Sequence, residues 1–232
     1  MQHKKGGSNI STLDLEKEKR ISTNGLIPVN VNGRNFNLLM NVYETALEQV
    51  MHEITQIKES FNKIYGYDII NNITSRIKTP DSIVNKMQKK HYEMNYKNLI
   101  DKINDIAGIR VTCPLKNDIY KTINVIKQLP NIRILKEKDY IKHPKESGYS
   151  GYHLIVETYV DIEENKIPVK VEIQLRTMAM DFWATNEHKM KYKGNKKLSF
   201  VDSKKLTIYA KIVNFLDDKI MKIHKKQEIA YK

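Results

Sequence analysis

The sequence is poor in cysteine and has no long apolar run, and these two absences exclude whole classes of protein. Cys113 is the one cysteine among 232 residues, so no disulfide can form within the chain. It lies in the apolar run 109–113, where its expected role is that of a small core residue. No stretch approaches the length of a membrane-spanning helix, and the N-terminal residues M-Q-H-K-K-G-G-S-N lack the apolar core of a secretory signal. We therefore expect a cytoplasmic protein with no membrane partner.

The chain also lacks the ligand spacing of a zinc site, whereas positive charge is abundant. No second histidine or cysteine lies at ligand spacing from His188, so we expect neither a zinc site nor a cysteine nucleophile. Lysine and arginine total 40 against 27 acidic residues, a net charge of +13. An anionic partner such as a nucleotide, RNA or an acidic membrane surface would account for this charge. A solubilising surface would account for it equally well.

The hydrophobic pattern predicts a mixed β-sheet flanked by helices, an α/β (α+β) fold with helical extensions at both ends. Helices are predicted over 37–65, from Pro80 to about Lys90, and over 116–129, 178–193 and 202–227. Strands are predicted over 106–113, 132–140, 153–160 and 167–176, after an extended segment at 69–78. We divide the chain into a flexible basic arm (1–35), one domain (36–200) and a C-terminal amphipathic helix (201–232).

The most informative segment is 168–177, P-V-K-V-E-I-Q-L-R-T, which alternates strictly between apolar and polar residues. This period places the apolar side chains on one face of a strand and the polar ones on the other. The polar face carries Lys170, Glu172, Gln174 and Arg176, each about 7 Å from the next. Taken alone, such a row fits a solvated strand face as well as an active site.

Residues 75–87, S-R-I-K-T-P-D-S-I-V-N-K-M, have the features of a polyphosphate cradle. Arg76 and Lys78 point the same way on an extended segment and lead into a helix capped by Thr79. Ser82 and Lys86 are four residues apart and share one face of that helix. Cations, a hydroxyl and exposed helix N–H groups would thus converge on an anion. The alternative is a basic, capped helix on the surface.

Two further segments supply partners for the polar row. Asp105 stands at the start of a buried strand and could hold Mg²⁺ with Glu172, although a lone aspartate there is more often a turn or cap residue. The loop 139–153 is basic and glycine-flanked, with Tyr149 expected at its tip. An aromatic ring in such a loop is suited to stacking on a base. The alternative is a hairpin loop with a packing tyrosine, and His153 is either a core histidine or a phosphate donor.

Five blocks together resemble the synthetase domain of the RelA/SpoT family, most closely its small alarmone synthetases. They are residues 75–87, D-I-A-G-I-R-V (105–111), the loop from D-Y-I-K-H-P-K (139–145) to His153 and its strand, V-E-I-Q-L-R-T (171–177), and M-D-F-W-A-x-x-E-H-x-x-K-Y-K (180–193). The blocks occur in the family's order over roughly residues 70–193. Any one of them would be a weak signal, but five in register are specific.

The resemblance implies a nucleotidyltransferase-like fold and transfer of the β,γ-diphosphate of ATP to the 3′-hydroxyl of GDP or GTP, giving (p)ppGpp. It implies that Asp105 and Glu172 bind Mg²⁺ and that Glu172 is the catalytic base. The residues implied to hold the ATP phosphates are Arg76, Lys78, Ser82 and Lys86, with Arg110 nearby. Those implied to hold the acceptor are Lys142, Lys145, Tyr149, which would stack on the guanine, His153, Gln174 and Glu187.

The resemblance also implies a homotetramer and binding of single-stranded RNA. Helices 37–65 and 202–227 would build the oligomer, or else pack against their own sheet. The chain departs from the family's usual G-Y-x-S-L-H at Gly151, which is expected to loosen the loop. It contains no His-Asp pair and little sequence upstream, so we expect no hydrolase activity. The alternative function is a catalytically weak regulatory module that binds RNA or a nucleotide.

Overall fold

The computed structural model describes residues 28–192 and 198–230, and their packing forms two compact units. Unit 1 takes in the described residues up to Asn41 together with Lys78–Asn104, and unit 2 takes in Val42–Ile77 and the described residues from Asp105 onward. The elements in chain order are α1 (Arg34–Tyr65), β1 (Asn72–Ile77), α2 (Pro80–Lys89), α3 (Tyr96–Lys102), β2 (Ala107–Cys113), α4 (Lys116–Ile126), β3 (Arg133–Asp139), β4 (Tyr152–Ile162), β5 (Asn165–Thr177), α5 (Met178–Tyr192) and α6 (Phe200–Ala230). The three-segment division expected from the sequence stays a prediction, and most of its N-terminal arm lies outside the described residues.

Unit 1 contains the predicted helix start at Thr79. Thr79 has extended backbone angles and its side chain accepts a hydrogen bond from the Ser82 backbone N–H at 3.4 Å, with Pro80 in the first turn. The cap and the helix predicted from Pro80 are therefore confirmed. The short helix α3, in which Asn95 accepts from the Asn98 N–H at 2.8 Å, was not predicted.

Unit 2 is built on a five-stranded sheet with the order β1-β2-β5-β4-β3. Strands β2 and β5 run parallel, while the β1–β2, β5–β4 and β4–β3 pairs are antiparallel. The mixed sheet flanked by helices that the sequence predicts is confirmed. The parallel pair lies at the centre, so the two blocks that carry Arg110 and Glu172 are hydrogen-bonded neighbours.

The alternation in β5 has the predicted structural basis. Val169, Val171, Ile173 and Leu175 are all buried, and burial alternates along β2 in the same way. Cys113 ends β2 in this core, as predicted, and burial raises the pKa of its thiol to about 12. One face of the central strands is therefore committed to the core, and the other is free to carry polar side chains.

Helix α6 contacts the rest of unit 2 through an apolar cluster at Ala210 and a few polar contacts, but it exposes most of its apolar residues. Thr177 donates to the buried Asp217 at 2.6 Å, and Lys116 donates to Asp218 at 2.8 Å. The exposed apolar residues share one stripe, with 50–60% of each side chain exposed: Ile208, Ile212, Phe215, Leu216, Ile220 and Ile223. The alternative of packing on the chain's own sheet is therefore wrong for these six residues of helix 202–227. In the other helix, 37–65, apolar residues are buried within the chain: Tyr43, Ala46, Val50, Ile54 and Ile57. No helix among the described residues is both long and apolar enough to cross a bilayer.

Candidate active site

The polar face of the sheet gathers site residues from three adjacent strands into one pocket. Gly108 on β2 lies in register with Arg76 on β1 and with Glu172 on β5. Two residues along, Arg110 lies in register with Gln174. The pocket has a volume of about 110 Å³ and is lined by Thr74, Ser75, Arg76, Gly108, Ile109, Arg110, Glu172 and Gln174. Four residues that the sequence singles out, Arg76, Arg110, Glu172 and Gln174, are thus brought together.

Glu172 is a largely buried carboxylate whose two oxygens are both held. His153 Nδ1 lies 3.0 Å from Oε1, and Gln174 Nε2 donates to Oε2 at 2.8 Å. Burial alone would raise the pKa of Glu172, but these two hydrogen bonds and the charge of His153 outweigh it and hold the pKa below its usual value. Glu172 is therefore ionised at neutral pH, as a metal ligand or a proton acceptor must be.

Asp105 lies close enough to Glu172 for its charge to matter. Its negative charge raises the pKa of Glu172, opposing the effect of His153. One Asp105 carboxylate oxygen is buried just before β2 begins. The two carboxylates predicted to act together are thus electrostatic neighbours, although the metal role itself stays a prediction.

A closed ring of hydrogen bonds connects Glu172 to the loop before β4. His153 bonds Glu172 through one ring nitrogen and the Tyr149 hydroxyl through the other. Arg176 Nη2 donates to the Tyr149 hydroxyl at 3.0 Å and to Gln174 Oε1 at 2.9 Å. Gln174 donates back to Glu172. The residue that the sequence leaves without a role, Arg176, therefore closes the ring.

Two guanidinium groups, those of Arg110 and Arg176, lie beside one carboxylate, that of Asp181. Asp181 on α5 accepts from Arg176 Nη1 at 2.9 Å and lies 3.4 Å from Arg110 Nε. Burial lowers the pKa of Arg110, and the charges of Arg176 and Arg76 lower it further, partly offset by Asp181. Mutual repulsion among these cations favours the binding of an anion between them. Asp181 was not identified from the sequence.

Tyr149 is not at the exposed loop tip where the sequence analysis places it. Only 8% of the residue is exposed, and it packs in a cluster with Trp183, Ala184 and Ala210. The cause is the C-terminal helix, because α6 covers the loop and lays Ala210 against it. Lys145 Nζ lies 4.7 Å from the ring centroid of Tyr149. Lys145, a basic residue of the same loop, thus covers one face of the Tyr149 ring.

Gly151 does not leave an open space that would loosen the loop. It is buried, and a Cβ at this position would lie 3.1 Å from the Tyr149 hydroxyl and 3.3 Å from Arg176 Cγ. The missing side chain is therefore what makes room for the contact between Arg176 and Tyr149.

The remaining predicted residues lie outside this pocket. Lys142 is exposed, 3.9 Å from Asp139 in the turn after β3. Glu187 forms an ion pair with Lys191 at 2.6 Å and lines a second pocket beside α6. Lys78, Ser82 and Lys86 belong to unit 1. Their joint action with Arg76 on one phosphate chain stays a prediction.

Comparison with known proteins agrees with this geometry. A family profile described as "Region found in RelA / SpoT proteins" matches residues 75–197. The chain is also 42% identical over 185 residues to the GTP pyrophosphokinase YwaC of Bacillus subtilis, covering 80% of this chain and 88% of that protein. The chain belongs to the RelA/SpoT family.

Solved structures of this family share the fold over most of the chain. The small alarmone synthetase 2 of Bacillus subtilis is 38% identical with a TM-score of 0.75, covering 83% of this chain and all of that one. The small alarmone synthetase 1 of the same organism, bound to its product pppGpp, is 28% identical with a TM-score of 0.77, covering 84% and 98%. The segment that matches the RelA/SpoT profile, residues 75–197, includes the pocket residues Arg76, Arg110 and Glu172.

Proposed function

We propose that this RelA/SpoT protein is a (p)ppGpp synthetase, a GTP diphosphokinase. The 3′-hydroxyl oxygen of GDP or GTP attacks the β-phosphorus of ATP, the bond to the α-phosphate oxygen breaks, and AMP leaves. Support comes from the relative named as a GTP pyrophosphokinase and from the structural relative bound to pppGpp. The observation that carries the proposal is an ionised Glu172 in a pocket that also holds Arg76 and Arg110.

The arginines serve the donor half of the reaction. Diphosphate transfer is chiefly a matter of positioning and of neutralising the charge on phosphate oxygens. Arg76 and Arg110 line the pocket, and Gly108, on the same strand as Arg110, pairs with Arg76 and places no side chain beside it. We assign ATP phosphate binding to these two arginines and carry the same role over to Lys78, Ser82 and Lys86 from the family resemblance.

Glu172 removes the proton from the attacking 3′-hydroxyl. Its carboxylate is ionised and kept in place by His153 and Gln174, which is the arrangement a general base needs. The pair Asp105 and Glu172 fits Mg²⁺, because this ion takes one or two carboxylates and completes its shell with water and phosphate oxygens. When bound, Mg²⁺ would neutralise developing charge on the transferred diphosphate.

The acceptor nucleotide is assigned to the loop side of the pocket. The face of Tyr149 that Lys145 covers becomes the stacking surface for guanine once Lys145 turns toward the acceptor phosphates. His153 bonds both the Tyr149 hydroxyl and Glu172, and Gln174 bonds the other oxygen of Glu172, so we assign the ribose to this side of Glu172. Lys142 and Glu187 keep their predicted acceptor roles as part of the proposal.

The test is to incubate the protein with ATP labelled at the γ-phosphate, Mg²⁺ and either GDP or GTP, and to separate the nucleotides. The label should move to a guanosine product, and the adenosine product should be AMP. Formation of ADP instead would indicate transfer of a single phosphate and refute the assignment. Absence of any labelled guanosine product would also refute it. The comparisons give no support to the alternative of a regulatory module that binds without catalysis.

We further propose a cytoplasmic homo-oligomer, a tetramer by family resemblance, assembled through the exposed apolar stripe of α6. A second copy would cover apolar residues such as Ile212 and Ile220, which are 50% and 57% exposed in the described chain. Ile212→Asp should shift the mass measured by light scattering toward the monomer, whereas an unchanged mass would contradict this role for the stripe. Binding of single-stranded RNA, consistent with the charge of +13, stays a prediction.

A further inference from the structure

We propose that Arg176 is a positioning residue for the acceptor half of the reaction, joining Tyr149 to Gln174 and anchored by Asp181. This inference rests on the proposed synthetase function. Arg176 touches neither reacting atom in this account. It acts through two side chains that do face the acceptor nucleotide.

The geometry of Arg176 uses its whole guanidinium group. Nη1 donates to Asp181 at 2.9 Å, Nη2 donates to both Tyr149 and Gln174, and Nε lies 3.3 Å from the Tyr149 hydroxyl. Arg176 is only 6% exposed, so hydrogen bonds to these partners replace nearly all of the water that would otherwise hydrate its guanidinium group. A buried cation is retained only where such bonds compensate for lost water. The group is therefore fixed in one orientation.

The surroundings of Arg176 are shaped for this contact. Gly151 leaves the space into which the Tyr149 hydroxyl and the Arg176 side chain fit. Asp181 balances the charge of Arg176 and also lies beside Arg110 on the donor side. A lysine at position 176 would keep the ion pair with Asp181 but, as a point charge, would not reproduce the planar fork that reaches Tyr149 and Gln174 together.

The consequence is a division of effects between the two substrates. Tyr149 and Gln174 belong to the acceptor side, so loosening them should weaken binding of GDP or GTP. On the donor side, Arg110 keeps its contact with Asp181 when position 176 stays cationic. An ordinary structural role for Arg176 would instead lower stability and affect both substrates alike.

The first experiment compares Arg176→Lys with the wild type and with Arg133→Lys. Arg133 is a matched control, since it is an exposed arginine on β3 that also donates two hydrogen bonds, both to Glu157. We expect Arg176→Lys to raise the KM for GDP and its calorimetric Kd without ATP about tenfold, with the KM for ATP changed less than about twofold. Arg133→Lys should leave all three constants unchanged.

The second experiment tests whether Arg176 acts through the tyrosine hydroxyl. Tyr149→Phe keeps the ring and removes the hydroxyl, so its effect on GDP affinity should not add to that of Arg176→Lys in the double variant. The inference would be overturned if the two effects were additive in the double variant. It would also be overturned if Arg176→Lys bound GDP as tightly as the wild type or more tightly. Should Arg176→Lys fail to fold, Gly151→Ala crowds the same contact. It should weaken GDP binding, and an unchanged affinity would again overturn the inference.

These measurements separate the inference from the function on which it rests. If the wild type makes the labelled guanosine product and binds GDP, but Arg176→Lys behaves like it, only the positioning role fails. If the wild type binds no guanosine nucleotide and makes no product, the proposed function fails and the positioning role fails with it.

Discussion

Replacing Gly148 with alanine should destabilise the protein because this residue lies where the loop before β4 contacts α6. Gly148 has a φ of +89°, a backbone conformation that residues other than glycine rarely adopt. A Cβ built there lies 2.5 Å from the Cβ of Ala210 and 3.4 Å from the carbonyl oxygen of Thr207. The first distance is far inside van der Waals contact, so either the loop or the helix must move.

The size of the effect follows from two separate costs. The positive φ costs a non-glycine residue about 1–2 kcal/mol, and overpacking at Ala210 costs about 1–3 kcal/mol. Gly66→Ala is the matched control, because Gly66 has a φ of +68° but nothing lies within 4 Å of its Cβ position. We expect Gly66→Ala to lose only the backbone component and Gly148→Ala to lose about 2–5 kcal/mol in all.

The assay is equilibrium unfolding in urea, followed by circular dichroism at one fixed protein concentration, since oligomers unfold in a concentration-dependent way. Adding Ala210→Gly to Gly148→Ala removes the overlapping Cβ of residue 210 and should restore part of the lost free energy of unfolding. The recovery is reduced by about 1 kcal/mol, because glycine is unfavourable inside a helix. Equal losses for Gly148→Ala and Gly66→Ala, or no recovery in the double variant, would refute the reasoning.

Three further predictions concern other parts of the chain. Because burial raises the pKa of Cys113 to about 12, its thiol should react with a disulfide reagent at pH 8 only after unfolding; rapid reaction of the native protein would contradict this. Burial also raises the pKa of Asp217, so the folded state keeps the Asp217 proton to a higher pH than the unfolded state does. This preferential protonation of the folded state stabilises it at low pH, and the stabilisation is lost as the pH rises from 3.8 through the raised pKa. The melting temperature of Asp217→Asn relative to wild type should therefore increase as pH rises through this window, and a flat difference would count against it. Finally, (p)ppGpp incubated with the protein and Mn²⁺ should release no diphosphate, since the sequence has no His-Asp pair; measurable release would show a hydrolase.

The sequence predicts the sheet and the centre of the site because both depend on local periodicity. The alternation around Glu172 places that residue on the polar face, and the alternation in β2 places Arg110 opposite Gln174 on the same face. Even Thr79 could be recognised as a cap from its neighbours. Strand and cap signals of this kind lie within a few residues and need no tertiary information.

The features that the sequence does not predict depend on contacts between distant segments. Tyr149 lies in a basic, glycine-flanked loop of exposed character, but α6, some sixty residues later, buries it with Ala210. Asp181 becomes significant only when α5 brings it to Arg110 and Arg176, which belong to different strands. Helix α3 has seven residues, too few for a periodic signal, and depends on the Asn95 cap and on burial of Leu99.

The central claim is that the ionised carboxylate of Glu172 carries out the transfer of diphosphate from ATP to a guanosine nucleotide. The most direct test compares the wild type with Glu172→Gln, using γ-labelled ATP, GDP and Mg²⁺. Glu163→Gln, an exposed change in the β4–β5 turn, is the matched control. We predict that Glu172→Gln lowers turnover by at least about 10²-fold while its circular dichroism spectrum shows that it stays folded, and that Glu163→Gln keeps full activity. Near wild-type turnover in folded Glu172→Gln would contradict the account.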